Sequence, residues 1–148
     1  MPSHLFCYGT LCLPEVMRRV IGEVPASATA ELADFASYAL AGRVYPGIVP
    51  QNGARVSGLM YYALGRAQFA KLDAYEGAEY QRVRVWVSAA QERRIQVWTY
   101  VLAPRYYHRL TTKGWSLARF EREHLSQYLH RNQNKLDGLH GRDTVQRA

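Results

Sequence analysis

The sequence predicts an α+β domain built around a small curved or closed sheet. Apolar strand-like segments stand first and last along the first hundred residues, and two or three helical patterns lie among and after them. Strict alternation of apolar and polar residues over 82–87 and 94–102, with a polar turn between, adds a hairpin. At 148 residues, 48% of them apolar, the chain is long enough for a real core and too apolar to be disordered throughout.

Each element has its own signature. Leu5 to Tyr8 reads as a short buried strand. Pro14 suits the first turn of a helix, where its missing N–H costs nothing. That helix runs to about Ile21, with Val16, Val20 and Ile21 inward and Gly22 as its stop. Ala28 to Leu40 is strand-like but interrupted, and Arg43 to Pro50 reads as a rigid loop bounded by prolines. Arg55 to Leu64 is a further strand, in which Gly58 marks a bulge or a close approach of backbone. Arg66 to Glu76 reads as a helix ended by Gly77.

The hairpin follows, with Gln91-Glu92-Arg93 as its turn. Trp115 to His130 reads as one amphipathic helix, with Leu117, Phe120, His124 or Leu125, Tyr128 and Leu129 on its apolar side. Residues 1–131 are expected to form the domain, and 132–148 a polar C-terminal tail.

Composition excludes several classes. Cys7 and Cys12 fit neither a stabilising disulfide nor a metal pattern, so reduced thiols in a cytoplasmic protein are expected. The five histidines show no metal-ligand spacing. No signal peptide or membrane-spanning run is evident, which predicts a protein without a membrane partner. The net charge of +7 raises nucleic-acid binding, but the arginines are scattered without a stripe of interleaved aromatics, which argues against it. No Gly-x-Ser-x-Gly elbow, phosphate loop or dinucleotide fingerprint occurs.

Two short motifs carry the candidate chemistry. Tyr8-Gly9-Thr10-Leu11 follows a strand and opens toward a helix, where free backbone N–H groups can cradle an anion. Glu76 lies seven residues after Phe69 and four after Leu72, so on a helix all three share one face. If that face packs on the sheet, Glu76 points inward. Burial and its place at a helix C-terminus would both favour the protonated form, as suits acid–base work. The other reading is that Glu76 pairs with Arg82 or Arg84, or caps an exposed corner; spacing leaves both open. Asp73 falls on a different helix face, and Glu79 is expected to be a solvated loop residue. Tyr45, Tyr62, Tyr80 and Tyr100 either line a polar cavity or pack with their hydroxyls satisfied.

Taken together, these segments resemble the gamma-glutamylcyclotransferase-like family, in particular its gamma-glutamylamine cyclotransferase and avirulence-induced-gene branch. The resemblance rests on Phe6 to Leu11, Tyr45-Pro46-Gly47, Val56 to Tyr61, Leu72 to Gly77 with Tyr80-Gln81-Arg82, and Val97 to Tyr100. It implies a small mixed β-barrel flanked by helices, with a ligand cavity at one end. It further implies Glu76 as catalytic acid/base, Tyr8 to Leu11 as the cradle for a substrate α-carboxylate, and a small γ-glutamyl compound as substrate. No metal or organic cofactor is implied. The glutathione-specific branch carries a tryptophan where this chain has Leu13, which points away from glutathione.

Overall fold

The computed structural model describes residues 2–133 and 136. Five strands, β1 (Ser3–Cys7), β2 (Ser27–Ala39), β3 (Pro46–Leu64), β4 (Tyr80–Ser88) and β5 (Arg94–Leu102), close into a barrel in the order β1-β3-β2-β4-β5. All neighbours are antiparallel except β1 and β5, which run parallel with Leu5 opposite Trp98. Closure pairs every strand with a neighbour on each side over at least part of its length. Among the described residues four α-helices accompany the barrel: α1 (Pro14–Ile21), α2 (Arg66–Glu76), α3 (Leu117–Glu123) and α4 (Leu125–Arg131). None is long and apolar enough to cross a membrane.

β2 and β3 form one long bent hairpin. The interruption expected within β2 is a bulge: the register shifts between Ala33 and Phe35, and Asp34 has a φ of 65°. Asp34 Oδ1 accepts the N–H of Gly53 across the hairpin at 2.9 Å. The rigid loop expected over 43–50 is corrected from Pro46 onward, which is the first part of β3. Pro46 lies opposite Ala39 and Pro50 opposite Phe35, while β1 pairs only with the far end of β3. This stretch has a ladder on one side alone, so a residue without an N–H is tolerated there.

The expected close approach at Gly58 is where β1 meets β3. A β-carbon there would lie 2.0 Å from the Cys7 carbonyl oxygen, so only glycine fits.

The barrel interior is filled by Phe6, Ala30, Leu32, Ile48, Val56, Met60, Val87 and Val97. A second cluster joins one wall to the helices through Leu5, Val16, Met17, Val20, Tyr61, Leu64, Phe69, Leu72 and Phe120. Cys7 and Cys12 are buried as free thiols.

The single helix expected over 115–130 is corrected in two respects. Trp115 precedes the helix, donating its indole N–H to the Val44 carbonyl at 2.7 Å, and the Ser116 side chain caps α3 through the Arg119 N–H. His124, with φ −127° and ψ −20°, then breaks the helix into α3 and α4. In an unbroken helix Phe120 and Tyr128 would point about 80° apart. The break brings their rings edge to face with centroids 5.4 Å apart.

Of the expected tail, Leu136 is fully buried and its N–H reaches the Asn132 carbonyl at 2.8 Å. Residues 134, 135 and 137–148 lie outside those described.

Candidate active site

β1 delivers Tyr8 to one end of the barrel, where the chain turns sharply. Thr10–Cys12 form one 3₁₀ turn, closed by the Cys12 N–H on the Gly9 carbonyl and the Leu13 N–H on that of Thr10, both at 3.0 Å. The first N–H groups of such a turn, those around Gly9 to Leu11, have no acceptor inside it. A β-carbon on Gly9 would come within 3.2 Å of the Pro46 ring, so glycine lets the turn sit against β3. Leu11 is anchored from below by the Tyr61 hydroxyl, which donates to its carbonyl at 2.7 Å.

Glu76 arrives from α2. That helix starts cleanly because Gln68 Oε1 accepts the Gly65 N–H at 2.7 Å. It buries Phe69, Leu72 and Tyr75 and ends at Gly77, whose φ is 72°. Glu76, half-buried, lines the cavity beside the turn. Its two suggested partners are engaged elsewhere. Arg82 forms a two-bonded pair with Asp73, at 2.8 and 3.2 Å, and Arg84 donates to Gln96 at 3.2 Å. Asp73 also accepts the Tyr100 hydroxyl at 2.7 Å and stands outside the cavity.

The residues singled out from the sequence therefore converge. Tyr8, Gly9, Thr10, Leu11, Tyr45, Glu76, Tyr80 and Tyr100 line one cavity, although 65 or more residues separate the two motifs. Tyr62 does not join them; its ring meets His4 edge-on with centroids 5.2 Å apart.

Sequence reasoning missed the lining roles of Tyr75, Tyr128 and Glu79, and Phe6, Cys7 and Pro46 complete the wall. Thr10 Oγ1 is 2.8 Å from the Tyr75 hydroxyl, which is hydrogen-bonded in turn to that of Tyr128. The expectation of a solvated Glu79 is corrected, since its side chain is only 16% exposed. One oxygen accepts the Tyr45 hydroxyl at 2.5 Å, and the other accepts Arg43 Nε at 3.1 Å with Arg109 Nε 3.8 Å away. The clue available in the sequence was adjacency to Tyr80, but the cationic partners come from distant segments.

Electrostatically the cavity sets two acidic side chains, Glu76 and the arginine-paired Glu79, among tyrosine hydroxyls. Burial chiefly, with the Glu76 charge adding to it, raises the Tyr8 and Tyr80 hydroxyls well above the ordinary phenol range. Tyr75 is raised likewise by burial, Tyr128 and Glu76. Burial pushes Tyr128 up to about 12, and burial with the bond to Asp73 raises Tyr100. All five remain protonated near neutrality, a property of groups that orient a ligand through hydrogen bonds without carrying charge.

A closed five-stranded barrel with a polar cavity at one end, bounded by a Gly-Thr turn and a helix-terminal glutamate, defines the class expected from the motifs. Residues 5–123 match the family described as gamma-glutamyl cyclotransferase, AIG2-like, and the chain belongs to that family. It is 34% identical over 103 residues to AIG2-like protein D of Arabidopsis thaliana, covering 68% of each chain. A solution structure of another Arabidopsis thaliana protein superposes with a TM-score of 0.66 at 26% identity, covering 89% of each chain. A solved gamma-glutamyl cyclotransferase shares the fold, with a TM-score of 0.64 at 16% identity over 90% of this chain and 87% of that one.

Proposed function

We propose that the chain is a γ-glutamyl cyclotransferase-type enzyme that converts a γ-glutamyl amine or γ-glutamyl amino acid into 5-oxoproline and a free amine. The observation that carries this reading is the meeting of Glu76 with the Tyr8 to Leu11 turn in one cavity. Family membership supports the same class of chemistry.

In this mechanism the Gly9 to Leu11 amides hold the substrate α-carboxylate, folding the chain so that its α-nitrogen lies over its own γ-carbonyl. An ammonium has no lone pair, so Glu76 first removes a proton. The amine then attacks the γ-carbonyl, closing a five-membered ring through a tetrahedral intermediate. Collapse breaks the bond between the carbonyl carbon and the departing nitrogen. The α-nitrogen gives up two of its three protons and keeps one as the ring amide. Glu76 returns the first to the departing nitrogen, and the second leaves that amine as an ammonium.

Positioned proton transfer of this kind is worth about 10²–10⁴-fold in rate. Holding nucleophile and carbonyl in contact supplies a comparable or larger factor. Leu13, buried at the start of α1 where the glutathione-specific branch carries tryptophan, favours γ-glutamyl compounds other than glutathione.

The test is to incubate the purified protein with a panel of γ-glutamyl amines and dipeptides and to measure 5-oxoproline. Glu76→Gln is expected to lower the rate by at least about 10²-fold while still binding substrate. Equal rates for the two proteins would remove Glu76 from the mechanism. Binding without product in the wild type would make the chain a carboxylate-binding protein on the same fold.

A further inference from the structure

We infer that the outer face of the β4–β5 hairpin binds a single-stranded nucleic acid, with arginines on its phosphates and Trp86 stacked against a base. This surface lies apart from the cavity, and its test is independent of the proposed cyclisation.

Along the sequence the arginines are scattered, but strand pairing gathers some of them. Alternation turns Arg82, Arg84 and Trp86 of β4 to the outside of the barrel. The register then sets Arg84 opposite Trp98 and Trp86 opposite Gln96 on β5. Guanidiniums and rings therefore interleave across the two strands. Arg82 and Arg84 both lie over the Trp98 ring, 4.4 and 4.8 Å from its centroid, and Arg94 lies 5.2 Å from that of Trp86. Such contacts restrain long side chains, so less order has to be imposed when a ligand arrives.

The two ends of this stripe differ. At one end α2 covers it: Arg82 also lies 4.8 Å from the Phe69 ring centroid and is neutralised by its two bonds to Asp73. The other end is open. Trp86 is 51% exposed, more than any other large apolar side chain among the described residues. Arg84, Arg93 and Arg94 are exposed and form no ion pair among the described residues. The hairpin's one acidic residue, Glu92, is in its turn.

A nucleotide brings one phosphate and one flat ring, which is the pairing this surface can meet. A guanidinium held by its face presents its N–H edge to phosphate oxygens, and an exposed indole offers a stacking platform. Alternate positions on a strand stand about 7 Å apart, roughly the length of one extended nucleotide. An acidic peptide would supply the charge without a ring for Trp86. A lipid surface calls for an apolar face to bury, and here Trp86 stands alone among arginines and Gln96. In a duplex the ring faces are already stacked on one another, so single strands are the fitting form.

The experiment titrates the full chain into labelled oligouridylate of about ten nucleotides, oligothymidylate of the same length and a duplex of that length, read by fluorescence anisotropy. Both single strands are expected to bind more tightly than the duplex, and a preference between them would name RNA or DNA as the source. With three arginines on phosphates, log affinity should fall against log salt with a slope of about −2. Arg84→Gln and Arg94→Gln should each reduce that slope by about 0.7. Trp86→Ala should weaken binding at least about fivefold with the slope unchanged. Arg122→Gln, an equal change of charge on α3, should stay within about twofold of wild type.

Failure to bind either strand at low salt would overturn the inference, as would a duplex held as tightly as a single strand. Equal weakening by Arg122→Gln and Arg84→Gln would reduce the effect to net charge and overturn it too. An oligoglutamate that displaces the strand as well as unlabelled oligouridylate does would make this an acidic-peptide surface instead. Anionic vesicles bound through Trp86, with no strand bound, would make it a lipid surface. Thermal melting reports whether each variant folds; should Trp86→Ala fail to fold, the salt slopes of the two arginine variants carry the test.

Discussion

Gly58 and Glu79 are single residues on which the site depends without either taking part in the proposed reaction. Gly58→Ala would press a methyl group against the Cys7 carbonyl, one residue before Tyr8, at a separation of 2.0 Å. The strands must part to relieve it. A loss of about 1–3 kcal/mol or more is expected in urea unfolding, and unchanged stability would mean that β1 does not press on β3 there. Glu79→Gln would leave Arg43 and Arg109 facing an uncharged amide. The expected loss is about 1–3 kcal/mol, with a raised KM because Tyr45 loses its fixed acceptor. The two residues differ in how far the sequence reveals them. An isolated glycine among apolar strand residues signals close packing. A glutamate in a Gly-Ala-Glu turn looks the same whether water or two arginines surround it.

At the scale of elements, signals confined to one segment were readable and relations between segments were not. Alternation locates β4 and β5, and the spacing of Phe69, Leu72 and Glu76 ahead of Gly77 locates α2. Pro46 and Pro50 misled because tolerance of proline in a strand depends on which side carries a neighbour, a fact about the sheet. The break at His124 was hidden for a similar reason: the apolar positions on either side satisfy helical spacing, and only packing reveals the turn. That break has a function, since it lets Phe120 support Tyr128 at the cavity. Phe120, at 1% exposure, packs between Trp115 and Tyr128. Phe120→Ala is expected to cost about 3–5 kcal/mol in urea unfolding, and a cost below about 1 kcal/mol would show α3 to be dispensable.

Across the whole molecule, the raised tyrosines set an alkaline limit. Burial is the first cause of the upward shifts at Tyr8, Tyr45, Tyr61, Tyr75, Tyr80, Tyr100 and Tyr128. An unfolded tyrosine releases its proton near pH 10, whereas these seven hold theirs in the folded state. Above that pH the unfolded chain therefore binds fewer protons than the folded one, and stability falls as pH rises. The thiols act in the same direction and earlier, with burial pushing Cys12 up to about 11. Tyrosinate absorbance should rise together with loss of circular dichroism in one cooperative alkaline transition. Full ionisation near pH 10 with the fold intact would contradict the burial of these rings.

The parallel pairing of β1 with β5 has a consequence in time. The Tyr8 hydroxyl bonds to a carbonyl 92 residues away, and Thr99 reaches the Phe6 carbonyl across 93. During synthesis the first strand must wait, half-partnered, until the fifth has emerged, because contacts between remote segments are the slowest to form. The cavity wall lies along that last seam. The cavity is therefore complete only when the barrel shuts, and a molecule seated there would act as a latch, stabilising the shut seam over the parted one.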